Sequence, residues 1–140
     1  MLVLWRRGVR LSETSLHSTG RLIRAAIIPL ICDLPALRKT TGFAGHSSKH
    51  MCSFCLLKKG NINDLNRPWP TRTCKEHVEL ARRWRDAKTE KERQDLFEKH
   101  GVRWSVLLEL PYWDPTRFAV VDAMHNLFLG ELRHHCMEVW

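Results

Sequence analysis

The chain has 140 residues, room for about one domain around one hydrophobic core. Hydrophobic residues make up 44% of it and charged ones 27%, which excludes a disordered polar tail, and no run nears the roughly 20 apolar residues of a membrane helix. A formal net charge of +8 points to an acidic partner, most simply nucleic acid.

In chain order, Met1 to Trp5 is apolar but stops at Arg6 and Arg7, too short for a secretory signal. The segment up to Gly20 is rich in Ser and Thr without periodicity and predicts irregular structure. "RLIRAAIIPLIC" (Arg21 to Cys32) is nearly continuous apolar. Pro29 argues against one helix, so its second half predicts a buried strand ending near Cys32. Asp33 then suits an N-cap, Pro35 a first helical turn and Gly42 a stop.

His46 to Arg72 reads as loop. From Thr71 to Gly101 the pattern predicts one or two helices, with Val78, Leu80, Ala81 and Trp84 as one apolar stripe and Leu96 and Phe97 as another. The charged stretch between them reads as a solvated face. "VRWSVLLEL" predicts a short helix stopped by Pro111, and "YWDPTRFAVV" extended or turn-like structure. From Asp122 the chain reads as helix, with Met124, Leu127, Phe128, Leu132 and Val139 as a core-facing stripe.

Five cysteines in a chain without a secretory signal suggest metal rather than disulfide. Cys52 and Cys55 form a C-x-x-C knuckle. Cys74 and His77 repeat that spacing, giving C-x2-C-x18-C-x2-H, a structural zinc pattern. His125 is a rival ligand, with Asp122 as a second ligand, as the carboxylate orienting its ring, or as a plain N-cap. His46 and His50, near the knuckle, are lesser candidates. On pattern alone Asp33 reads as a cap. An acid at the end of a buried strand is also a common place for a ligand to catalytic magnesium.

The phrases "CDLPALRK", "GFAGH", "CSFC", "LPYWDPTRF" and "DAMHNLFLG", in that order, resemble the transposase of CACTA (En/Spm-type) DNA transposons, in the form found in fungal genomes. The resemblance runs from about Gly8 to Trp140. It implies an α+β fragment: part of an RNase H-like core over residues 1–45, then a mainly helical, zinc-braced insertion over residues 46–140. It implies that Asp33 is the second acid of a DDE triad. Zinc would tie Cys52 and Cys55 to the more distal His77 or His125, with Cys74 a less certain member. One departure is Ala123, where the family motif often has Pro.

The intact parent would use magnesium to cut double-stranded DNA at terminal inverted repeats and join the ends to a target, in the nucleus and as a homo-oligomer. Glu13 is the only acid before Asp33, and Glu131 and Glu138 fall too early for the final catalytic Glu. This chain is therefore expected to be an internal piece, inactive alone. The alternatives are a non-catalytic zinc-containing nucleic-acid-binding module, with Arg82, Arg83 and Arg85 on phosphates and Trp84 or Trp69 stacking, or an unstable remnant without function.

Overall fold

The computed structural model describes residues 2–66 and 68–140. A short helix, α1 (Leu2–Arg6), precedes a hairpin of β1 (Val9–Leu11) and β2 (Arg21–Ile23), paired antiparallel with Arg10 opposite Leu22. Irregular structure was the expectation up to Gly20; the hairpin replaces it. Its strands have no buried face, so they lack the alternation that would betray them. Trp5 stacks on Tyr112 with ring centroids 4.3 Å apart, and the Tyr112 hydroxyl accepts from the Ile27 amide. These contacts dock the N-terminal segment on the later chain.

Strand β3 (Leu30–Cys32) ends where the apolar run predicts. It is shorter than expected and lies partly exposed rather than buried. Its partner is β4 (Ala119–Val121), parallel and in the register Leu30 to Ala119, Ile31 to Val120, Cys32 to Val121. The ladder continues one step further, with the Asp122 amide donating to the Cys32 carbonyl at 2.8 Å. Helix α2 (Leu34–Thr41) follows β3. Asp33 Oδ1 accepts from the Ala36 amide at 2.7 Å, satisfying one of the amides left open at a helix start, and Gly42 closes the helix at φ +85°.

Helix α3 (Cys74–Asp86) begins on Thr73, whose hydroxyl accepts from the Glu76 amide and donates to the Glu76 carboxylate. Helix α4 (Glu90–His100) begins on Thr89 in the same way, with the Glu92 carboxylate accepting from the Lys88 amide, and ends on Gly101 at φ +67°. The two helices expected before Gly101 are thus both present. The helix expected in "VRWSVLLEL" is one 3-10 turn, Val106–Glu109, because Ser105 turns back to the Thr40 carbonyl.

The C-terminal ends of α2 and α4 clasp each other. Phe43 bridges Val102, the Ala44 amide donates to the Gly101 carbonyl, and the Arg103 amide donates to the Gly42 carbonyl. Leu37, Phe43, Ala44, Ala81, Val102 and Trp113 are buried around this clasp. Contacts therefore cross the boundary expected at residue 45.

After β4 the chain forms a wide helical segment, Met124–Leu132 and His135–Val139, with i to i+5 bonds such as Trp140 amide to His135 carbonyl. The expected core stripe is not core: Met124, Leu127, Phe128, Leu132 and Val139 are all exposed. Helical periodicity identifies a face but not what covers it. The α+β class stands, with the sheets two-stranded among the described residues. No described helix is long and apolar enough to cross a membrane.

The clasp gives a stability prediction. A Cβ at Gly42 would meet the Arg103 carbonyl oxygen, whereas one at Gly60 would meet open space. Gly42→Ala is expected to lower unfolding free energy by roughly 2 kcal/mol, from left-handed strain plus the clash. Gly60→Ala should stay within about 0.5 kcal/mol of the parent in urea unfolding. Equal effects at both positions would refute the clasp.

Candidate functional site

The knuckle forms as its spacing predicts. Cys52 Sγ accepts from the amides of Phe54 and Cys55, both at 3.4 Å, and the Cys55 sulfur lies 3.4 Å from it. Zinc–sulfur bonds of about 2.3 Å put two tetrahedral ligands roughly 3.8 Å apart, so this pair fits two corners of a zinc site with little movement. A paired backbone segment braces it: Cys55 bridges Thr71, the Leu56 amide donates to the Pro70 carbonyl, and the Arg72 amide donates to the Phe54 carbonyl.

Arg72 is the residue that sequence reasoning missed. Its Nε donates to the carbonyls of Cys52 at 2.9 Å and Cys55 at 3.2 Å, and its guanidinium lies over the Phe43 ring. It is buried, and burial pulls its pKa down, while the two cysteines act in the opposite sense. Burial also pushes the Cys52 thiol up. The Cys55 and Phe54 amides, the Cys55 thiol and Arg72 outweigh that and hold Cys52 below the ordinary thiol range. Cys55, sharing the site with a readily ionised neighbour, is pushed up by burial and by Cys52. A buried, stacked arginine holding two carbonyls has no local sequence signature. The nearest clue is its place two residues before Cys74.

The other predicted ligands sit apart from the knuckle's sulfurs in their bonding. Cys74 faces Asp114; burial first, then that carboxylate, raises its thiol. His77 is 2% exposed, with its ring centroid 4.5 Å from that of Phe43. Neither of its ring nitrogens has a hydrogen-bond partner. Burial, then Arg72, lowers its pKa to about 4; the Thr41 carbonyl pulls the other way from outside normal hydrogen-bond geometry. His50 is also pushed down, by burial and then by Arg72, Lys49 and Lys58. His125 Nδ1 bonds the Asp122 carboxylate, whose other oxygen accepts from the Met124 amide at 2.9 Å. That bond to His125, then the Met124 amide, holds the Asp122 carboxyl below its usual range. Among the described residues, no three or more His, Cys, Asp or Glu side chains gather as a metal would require. The knuckle is half of a zinc site as it stands.

Asp33 and Asp122 are brought together in a way the sequence did not foretell. Each directly follows one of the paired residues Cys32 and Val121, so both acids stand at the same end of adjacent parallel strands. Asp33 does cap α2, through one carboxylate oxygen.

The three arginines expected to meet DNA are all exposed on α3. Arg83 pairs with Glu79. Arg85 pairs with Asp86 and stacks on Trp104 at 4.3 Å. Arg82 adds to the positive field that lowers the Asp86 pKa. Trp84 lies under Arg93 at 5.6 Å. Their bonding is that of a solvated helix face laced with local pairs.

His77 gives a pH prediction. With a folded pKa of about 4 against 6.5 ordinarily, the unfolded chain binds a proton that the folded chain refuses between those values. Stability therefore falls as pH drops from about 6.5 to about 4, by roughly 3 kcal/mol from this residue. His77→Phe should flatten that part of the profile in urea unfolding and cost little at pH 7, since it removes two orphaned nitrogens. An unchanged slope would refute the burial argument.

Comparison of the chain with models of known protein families, with curated proteins and with solved structures finds no match.

Proposed function

We propose that this chain carries the second metal-binding acid of a DDE-type DNA transposase, followed by an insertion anchored on a zinc knuckle, and that it does not cleave DNA by itself. One juxtaposition carries the reading. Asp33 ends β3, β3 pairs in parallel with β4, and β4 runs directly into Asp122. The carboxyl ends of adjacent parallel strands are where α/β sheets hold ligands. Acids there are set on hydrogen-bonded backbone rather than on a loop, which is what catalytic positioning needs.

The knuckle supports the second half of the proposal. Cys52 and Cys55 offer two thiols at near-tetrahedral spacing, one of them already favoured as thiolate. Zinc would supply a structural tie there. Double-stranded DNA is the proposed partner, on the strength of the net charge of +8. Binding without descent from an enzyme is the second reading, favoured by the exposed Arg82, Arg83 and Arg85 on one helix.

Metal analysis of purified chain should find about one zinc per molecule, lost in Cys52→Ser. Zinc-free protein from metal-replete preparations would remove the knuckle from the proposal. With about three phosphate contacts, duplex affinity should fall roughly 40-fold between about 50 and 200 mM salt. Salt-independent or undetectable binding would sink the DNA partner. Magnesium-dependent cutting of terminal-repeat DNA by this chain would overturn its inactivity, and Asp33→Asn would then have to abolish the cutting.

A further inference from the structure

Three buried polar atoms without a hydrogen-bond partner belong to two side chains that line one cleft. They are Arg72 Nη2, His77 Nδ1 and His77 Nε2. Arg72 is 9% exposed and His77 2%, so water reaches neither freely. An unmade hydrogen bond at such a site costs on the order of 1–3 kcal/mol, and folded proteins leave few of them. The cleft lies against α3, has a volume of about 320 Å³, and is closed further by Leu56, Leu80, Arg83 and His100. That volume is at the lower end of those that hold small organic ligands.

The chemistry of the orphaned atoms selects the ligand. A guanidinium has donors only, so a cation placed against Arg72 is repelled and its Nη2 stays unmade. A neutral imidazole adds one further donor and one acceptor. Both donors are met by the oxygens of an anion. Arg83 is a second guanidinium on the cleft, and guanidinium groups match phosphate oxygens bidentately. Glu76 and Glu79 also line the cleft, but Glu76 is held by the Thr73 hydroxyl at 2.7 Å and Glu79 by Arg83. A singly protonated phosphate also brings an O–H for the remaining His77 nitrogen, which a carboxylate at neutral pH lacks. Leu56 and Leu80 leave apolar wall for the body that carries the phosphate.

We propose that this cleft binds a phosphate group carried on a small organic body of nucleotide size, with Arg72 and His77 as the phosphate donors and Leu56 and Leu80 against the body. The site is separate from the Asp33 and Asp122 strand ends, and it does not rest on the transposase reading, because a mononucleotide needs neither duplex nor magnesium to occupy it. The phosphate has two sources: a free nucleotide, or the backbone of nucleic acid.

The test follows the His77 ring signals by NMR in the full chain with labelled histidine. Thymidine 5′-monophosphate should shift them saturably, with a Kd of about 1 mM or tighter. Leu80→Trp, which fills the cleft from one wall, should weaken binding at least about tenfold, a loss of about 1.4 kcal/mol, while Arg83→Gln should weaken it less. Wild-type titration alone decides the matter if Leu80→Trp does not fold. A His77 ring unmoved at about 20 mM nucleotide overturns the proposal. So does thymidine or acetate acting as strongly as the nucleotide, since phosphate would then not be what is recognised. Direct ligation of the His77 ring by zinc, read from its nitrogen shifts, also overturns it. A short duplex that moves the ring at lower concentration than the nucleotide supports the site and assigns its phosphate to nucleic acid. Response to the nucleotide but not the duplex supports it and assigns a free ligand.

Discussion

Arg72 is buried with a positive charge, and taking such a charge out of water costs several kcal/mol unless partners replace the water. Its partners are drawn from three separated parts of the chain. Two are the carbonyls of the cysteine knuckle, reached through Nε, and the third is the face of Phe43 at the end of α2. The same Phe43 ring carries His77 of α3 on its surface. Knuckle, clasp and α3 are therefore joined through one guanidinium and one phenyl ring. Losing the guanidinium would free the knuckle carbonyls and remove the positive charge that favours the Cys52 thiolate.

The local parts of this architecture were legible in the sequence. Asp33, Pro35 and Gly42 delimit α2 because caps and stops are properties of a few neighbouring residues. Thr73, Thr89 and Gly101 do the same for α3 and α4. The knuckle was legible too, since C-x-x-C fixes two sulfurs on one tight turn. What was not legible depends on distant partners. Nothing in "AVV" says that it lies beside "LIC", with most of the chain between them. Nothing in "CKEH" says that Cys74 turns to Asp114 while His77 goes under Phe43. Equal spacing made them look like a second ligand pair, and tertiary packing separates their surroundings.

The apolar C-terminal stripe belongs with these non-local cases. Phe128 and Leu129 are exposed, as are Met137 and Trp140. The pattern was read correctly as helical, but a hydrophobic face specifies only that something apolar belongs against it. The resemblance to CACTA transposases treats this segment as the lead-in to a further helix. Within the described residues the stripe stays in solvent.

The parallel pairing of β3 with β4 carries a consequence for how the molecule assembles. β4 is the only strand partner of β3 among the described residues, and α2, the knuckle, α3 and α4 all lie between them in sequence. Closing so long a loop costs entropy before its few backbone bonds give anything back, so this contact belongs late in folding. On a ribosome, α2 and the two helices after it emerge while β3 is still an open edge. Asp33 and Asp122 become neighbours only when that edge is closed. The acidic end of this sheet is thus a product of the completed chain rather than a preformed motif, and a nascent or clipped chain would present Asp33 as a helix cap and nothing more.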